Sequence, residues 1–198
     1  MRELPVTQTN FTNEQLAASL VRSWYKLFND YPSRESIAII LAQKCLECGT
    51  KNCFGYNIGN IKAPATGDDT ICYSMYHNVF EFIHGKKVIY QPPSPYTWFR
   101  AFESLDEGTL FYIQFLQKHY HSAFDAIKVG QVANFVHLLK VNKYFTADEQ
   151  TYLATVSSYY KSFTKDSFTY ADNSPIIIIE NNDIDFTLEM PIGATSDY

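Results

Sequence analysis

Two carboxylates have the types and positions from which general acid–base chemistry can be built. Glu47 closes the run Ser36-Ile37-Ala38-Ile39-Ile40-Leu41-Ala42-Gln43-Lys44-Cys45-Leu46-Glu47, which is apolar nearly all round in its middle and reads as a core helix stopped by Gly49. An acid in the last turn faces the negative end of the helix dipole, and the apolar run with flanking Cys45 and Cys48 adds desolvation. Both effects favour the protonated form, which a general acid at a glycosidic oxygen requires. The plainer alternative is a solvated Glu at a helix end. Glu81 lies between Phe80 and Phe82 in a strand-like segment, so alternation turns it away from those two rings. It either points into a cleft or serves as an edge-strand charge that opposes aggregation.

The cysteines and histidines are the other reactive candidates. Cys45-x-x-Cys48-x4-Cys53, with Cys72 further on, imitates a zinc-ligand spacing. However, Cys45 and Cys48 fall on a helix around the acid, unlike the tight knuckle of a zinc ribbon. A Cys53–Cys72 disulfide is an alternative, and free, half-buried thiols are the expectation. His77, His84, His119, His121 and His137 are scattered, and His119-x-His121 at a helix end reads as surface. No metal and no cofactor are expected.

The elements that must position these residues are written in local signals. Thr12-Asn13-Glu14-Gln15, Ser104-Leu105-Asp106-Glu107 and Thr146-Ala147-Asp148-Glu149 each fit a capping box. The first adds Phe11 and Leu16 at staple positions and continues through Leu20, Trp24, Leu27 and Phe28, predicting a helix over about 13–29. The core helix follows Ser33, and further helices are predicted over 105–120, 122–128, 131–141 and 147–160. Between the two helical groups, Val79–Ile83 and Lys86–Tyr90 flank His84-Gly85 as a β-hairpin, ended by Pro92-Pro93-Ser94-Pro95. The fold class is mainly α (α+β), a helical domain with a small β-hairpin lobe inserted after the second helix.

Composition narrows the function classes. The 198 residues are 46% apolar and 16% aromatic, enough for one well-filled core and against disorder. The longest unbroken apolar stretch, Ile37–Ala42, is too short to span a membrane. Residues 163–198 hold Lys165 against seven acids, while residues 1–162 are close to balanced. No basic stripe exists, so nucleic acid is not an expected partner. Residues 1–10, MRELPVTQTN, lack the hydrophobic region of a secretory signal peptide.

Leu41-Ala42-Gln43-Lys44-Cys45-Leu46-Glu47-Cys48-Gly49, followed by Tyr56-Asn57-Ile58-Gly59-Asn60-Ile61-Lys62, resembles the peptidoglycan-cleaving glucosaminidases of the lysozyme-like superfamily. That family carries an A-x-x-x-x-E-S-G helix end followed by N-x-F-G-I-K. The resemblance continues through Glu81, His84-Gly85 and Phe99-Arg100-Ala101-Phe102-Glu103-Ser104. It ends at Tyr144-Phe145-Thr146-Ala147-Asp148, similar to Y-A-T-D, and so spans about residues 12–160 in order. The departures are Cys48 for Ser, Thr50 where Trp is common, Asn60 for Gly, and Phe145 with an extra Ala147 in the last motif.

The resemblance implies a lysozyme-like fold over residues 12–162, an N-terminal arm over 1–11 and an acidic tail over 163–198. It implies a glycan-strand hydrolase of the endo-β-N-acetylglucosaminidase type, with Glu47 as the catalytic acid. Glu81 would then activate water or stabilise the oxocarbenium-like centre. Tyr144 matches a cleft tyrosine, and Asn57 and Lys62 match the loop after the catalytic helix, in a structural or a substrate role. Tyr144 with Tyr56 or Tyr73 is expected to wall a groove between the helices and the hairpin. A lytic transglycosylase or muramidase on the same glycan is one alternative, and a structural or wall-binding phage-tail protein is another. A phage origin fits the family's habits, and a chain without a signal would reach the wall through a virion, a lysis pore or a secretion route. In the tail, Ile176–Ile179 is strongly β-prone and must be covered, by the body or by another chain as an assembly anchor.

Overall fold

The computed structural model describes residues 1–49, 52–64, 70–77, 79–83 and 86–165, with the backbone alone at 52 and 81–83. The tail residues 166–198, with both strand-like runs, and the hairpin turn His84-Gly85 lie outside the described residues. Along the described chain, strands β1 (Arg2–Glu3) and β2 (Gln8–Asn10) precede helices α1 (Asn13–Phe28) and α2 (Arg34–Cys48). Then come β3 (Asn52–Phe54), β4 (Cys72–Met75), β5 (Val79–Ile83), β6 (Lys86–Tyr90) and β7 (Trp98–Arg100). Helices α3 (Leu105–His119), α4 (His121–Lys128), α5 (Val132–Val141) and α6 (Glu149–Phe163) complete it. The fold is mainly α with a small β lobe after the second helix.

Local chemistry explains the helix starts. At α1 the box is complete: Thr12 Oγ1 accepts from the Gln15 amide at 3.2 Å, and Gln15 Oε1 accepts from the Thr12 amide at 2.8 Å. At α3, Ser104 accepts from the Glu107 amide, but Glu107 reaches one residue further back, to the Glu103 amide. The third box does not form. Asp148 caps α6 instead, accepting from the Thr151 amide at 2.9 Å and its hydroxyl at 2.8 Å. The Thr146 and Ala147 carbonyls bind Lys140 Nζ, so the helix starts two residues later than the sequence predicts. It also runs on to Phe163, which is buried.

Packing centres on α2. From Ser36 to Cys48 only Leu46 is not fully buried, and α6 lies along it, with α1 and α4 on other sides. Such a helix is defined by being enclosed rather than by one apolar stripe. Helices α1 and α3 meet through polar groups: the hydroxyls of Ser19 and Ser23 each lie 2.8 Å from Thr109 Oγ1, and Asp106 pairs with Arg22.

Among the described residues the β lobe consists of three small sheets. The hairpin β5–β6 has the expected register, with Glu81 opposite Val88. The first eleven residues, expected as an arm, join the fold: β1 runs parallel to β4, which pairs antiparallel with β7, and β2 pairs with β3. The lobe is tied to the helices by close approach at Gly108 in α3, where a Cβ would overlap the Tyr56 carbonyl oxygen. Gly108→Ala should therefore lose about 1–3 kcal/mol through overpacking, exceeding the helix-propensity gain. Equilibrium urea unfolding would register this as a lower midpoint, and an unchanged midpoint would refute the close contact.

Candidate active site

The C-terminal turn of α2 carries Glu47 into an enclosed setting. The residue is 1% exposed. Tyr152 of α6 donates its hydroxyl to Glu47 Oε1 at 2.8 Å, and Oε2 has no hydrogen-bond partner among the described residues. Burial pushes the carboxyl well above the usual carboxylate range, the Tyr152 bond works against that rise, and neighbouring Cys48 adds to it. A protonated Oε2 is thus a proton donor with no acceptor.

A directed chain of hydrogen bonds leads to this group. Tyr112 of α3 donates to Gln43 Oε1, Gln43 Nε2 donates to the Tyr152 oxygen at 3.5 Å, and Tyr152 donates to Glu47. Gln43 stands one turn before Glu47 on the same helix face. The Tyr152 ring lies flat on Phe145, with centroids 3.7 Å apart and planes 4° apart. Sequence reading missed Gln43 and Tyr152. Gln43 had a usable signal, its i−4 spacing to the acid; Tyr152 is one of fifteen tyrosines with no local mark.

Lys44, also 1% exposed, is satisfied by the Gly49 carbonyl at 3.2 Å and by the Phe11 ring, whose centroid is 5.1 Å from Nζ. Its charge meets the negative end of α2. The two thiols flanking the acid are held in their neutral form. Burial pushes Cys45 up to about 11, and hydrogen bonding with the Cys53 thiol, together with burial, raises Cys48 well above the usual range. All four cysteines are free, and among the described residues no three His, Cys, Asp or Glu gather as a metal site.

The other expected site residues are placed as follows. Tyr144 is 1% exposed, donates to the Gly59 carbonyl at 3.1 Å and meets the Tyr120 ring edge-on at 5.1 Å. It holds the 57–61 loop onto the core and presents no face to a groove. Asn57 is buried and spends its amide on backbone: Nδ2 donates to the Ile61 and Arg100 carbonyls at 2.8 and 3.0 Å, and Oδ1 accepts from the Ile61 amide at 2.9 Å. Of its two expected roles, this geometry is the structural one. Cys48 Sγ donates to the Asn57 carbonyl at 3.3 Å, so the loop is bonded directly to the end of α2. Tyr56 is half-buried and stacks on Phe11. Tyr73 stays in the β1–β4–β7 sheet, against Trp98 and Glu3. Glu81 lies mid-strand, its side chain outside the described residues.

A groove of about 1030 Å³ opens between α3 and the stretches 61–64 and 95–100, and Glu47 is not on its walls. Phe111, Phe115 and Lys118 of α3 line it, whereas Tyr112 of the same helix turns to Gln43 beside the acid.

No family model matches the chain, and no curated protein matches it. Two solved structures are similar. A peptidoglycan hydrolase mutant from Sphingomonas sp. A1 has a TM-score of 0.49 at 17% identity, covering 79% of this chain and 92% of that one. The glycoside hydrolase domain of FlgJ from Salmonella typhimurium has a TM-score of 0.45 at 18% identity, covering 77% and 88%.

The enclosure of Glu47 has a pH signature. Unfolded, the side chain ionises near pH ~4.3; folded, it holds its proton to higher pH. Below about pH 4 both states are protonated and no stability is lost. As pH rises past that value the unfolded chain gains by ionising, and stability falls until the folded value is passed. Glu47→Gln is exempt from this loss. Urea midpoints from pH 4 to 8 should shift progressively in favour of the variant, and a difference independent of pH would show that Glu47 is already ionised in the fold.

Proposed function

We propose that the chain is a glycan-strand hydrolase of bacterial peptidoglycan, of the endo-β-N-acetylglucosaminidase type, with Glu47 as general acid. The observation that carries this reading is the state of that carboxyl: enclosed at a helix end, raised, bonded on one oxygen by Tyr152 and, among the described residues, unpartnered on the other. Further support comes from the motif order, since the loop after α2 and the Tyr144 segment meet at the Gly59 carbonyl.

In this mechanism Oε2–H gives its proton to the glycosidic oxygen as the bond to the anomeric carbon breaks. Positive charge develops on the sugar, and water adds to the anomeric carbon. Glu81 either takes the water proton or stabilises the charge while the Glu47 carboxylate takes that proton back. After the first transfer Glu47 is left ionised, and the Tyr152 hydroxyl then stabilises it, because a hydrogen bond to a carboxylate favours the charged form. Burial thus serves the acid before transfer and Tyr152 its conjugate base after. With Glu47 1% exposed, the scissile oxygen reaches Oε2 only if the end of α2 opens when glycan binds.

That same enclosure, with the groove lying elsewhere, favours a second reading: a wall-binding protein that keeps the fold without the reaction. Digested peptidoglycan analysed by mass spectrometry separates the readings. Reducing N-acetylglucosamine ends are expected. Reducing N-acetylmuramic ends would indicate a muramidase, 1,6-anhydro ends a lytic transglycosylase, and no products the wall-binding protein. Glu47→Gln should abolish cleavage in a folded protein, and wild-type activity would overturn the assignment. Glu81→Gln should lower hydrolysis about a hundredfold or more, the scale for losing a general base, and a loss under about tenfold would exclude that role.

In the same reading the acidic segment 163–198 anchors the enzyme to a larger assembly such as a virion. A chain ending at Lys165 keeps buried Phe163 and should stay soluble and active on isolated walls. Aggregation of that chain would show instead that the segment packs on the body.

A further inference from the structure

Behind Glu47 stand three buried polar side chains, Gln43, Tyr112 and Tyr152. They come from α2, α3 and α6, so helix packing alone brings them together. Burial limits what each can do. A phenol has one proton to give, and an amide has an oxygen that only accepts and a nitrogen that only donates. Gln43 is 0% exposed, so both ends of its amide must be satisfied inside the protein.

These limits set a direction. Tyr112 gives its proton to Gln43 Oε1, which leaves Nε2 to donate to the Tyr152 oxygen at 3.5 Å. With that oxygen already accepting, the Tyr152 proton goes to Glu47 Oε1 at 2.8 Å. Reversing the amide would set Oε1 against Tyr152, which could then give its proton to Gln43 and leave Glu47 Oε1 without a donor. Tyr112 opposes that reversal, because a reversed amide takes away the acceptor of its own proton.

We infer that Gln43 and Tyr112 are positioning residues that aim the Tyr152 hydroxyl at Glu47, so that α3 helps to stabilise the ionised acid. The inference rests on the reading of Glu47 as general acid and adds a control lying two side chains beyond Tyr152. Among the described residues, the titratable groups that act on Glu47 are Tyr152 of α6 and Cys48 of its own helix. Tyr112 of α3 and Tyr144 of the α5–α6 connection feel its charge in turn. Burial holds all four well above their usual ranges, and they are neutral at pH 7. Lys44 is turned to the Gly49 carbonyl and the Phe11 ring. Tyr112 therefore acts on Glu47 through hydrogen bonds rather than through charge.

Carbon NMR of the full chain, labelled at its glutamate carboxyls, tests this without depending on cleavage. The signal lost in Glu47→Gln identifies the acid. Tyr152→Phe should lower its dissociation constant about tenfold, the scale for losing a hydrogen bond to a charged group. Tyr112→Phe removes one oxygen, and Gln43→Met keeps the side-chain length; each should lower it about threefold or more, as coupled groups do. In a Tyr152→Phe background neither should add a shift. On cleaved walls the alkaline limb of kcat/KM should move to higher pH in both variants while kcat falls. Loss of packing alone does not produce that combination. No shift in either variant, a shift that persists without the Tyr152 hydroxyl, or a Glu47 signal that does not titrate between about pH 4 and 9 would overturn the inference. Failure of the hydrolase reading looks different: the titrations behave as expected and digested walls yield no products.

Discussion

A carboxyl group at the C-terminal end of a helix, with no water around it, can be tolerated only if it keeps its proton or finds a donor. At Glu47 the fold supplies both conditions. Helix α2 is enclosed along most of its length, which removes water, and α6 brings the Tyr152 hydroxyl to Oε1. Tyr152 reaches the acid with its ring lying flat against Phe145. The unusual start of α6 belongs to the same arrangement. Capping at Asp148 rather than Thr146 leaves the preceding carbonyls to Lys140 and sets the helix phase that points Tyr152 inward.

The second organising element is the loop that follows α2. Asn57 binds three backbone groups on two segments, Cys48 bonds to its carbonyl, and Tyr144 bonds to Gly59. Buried polar groups of this kind are stable only when each is paired, and here the pairings join helix end, loop, β7 and the α5–α6 connection. Residues that resemble substrate contacts in the sequence therefore act as fasteners. Their side chains keep the end of α2 at a fixed distance from the β lobe, which is a condition for any chemistry at Glu47.

Acid and groove make different demands on the same helix. The acid needs low polarity, and α3 provides Tyr112 on that side. The groove is walled by Phe111, Phe115 and Lys118 of the same helix. A helix can serve both because successive side chains are rotated by about 100° and so point to different faces.

Local signals in the sequence determined the helices α1 to α5 to within a residue or two and the β5–β6 hairpin register. Each is specified by groups within a few residues: caps, apolar period and turn residues. They also marked Glu47, because its helix-end position and apolar approach are local facts. What they left open depends on contacts far apart in the chain. Strands of two to four residues show no period, and β1 exists only because Arg2 and Glu3 meet Cys72 and Tyr73. The third capping box matched its pattern but lost to Asp148, once Lys140 engaged the Thr146 and Ala147 carbonyls. Nothing near Tyr152 distinguishes it from the other tyrosines, and nothing near Tyr144 says that its hydroxyl goes to Gly59 rather than to a ligand. The sequence by itself determined which acid stands at the end of an apolar helix, and the tertiary structure decided that it is buried. Only the tertiary structure decided which hydroxyl holds it and on which side of α3 the open space lies, because those outcomes depend on how whole helices pack.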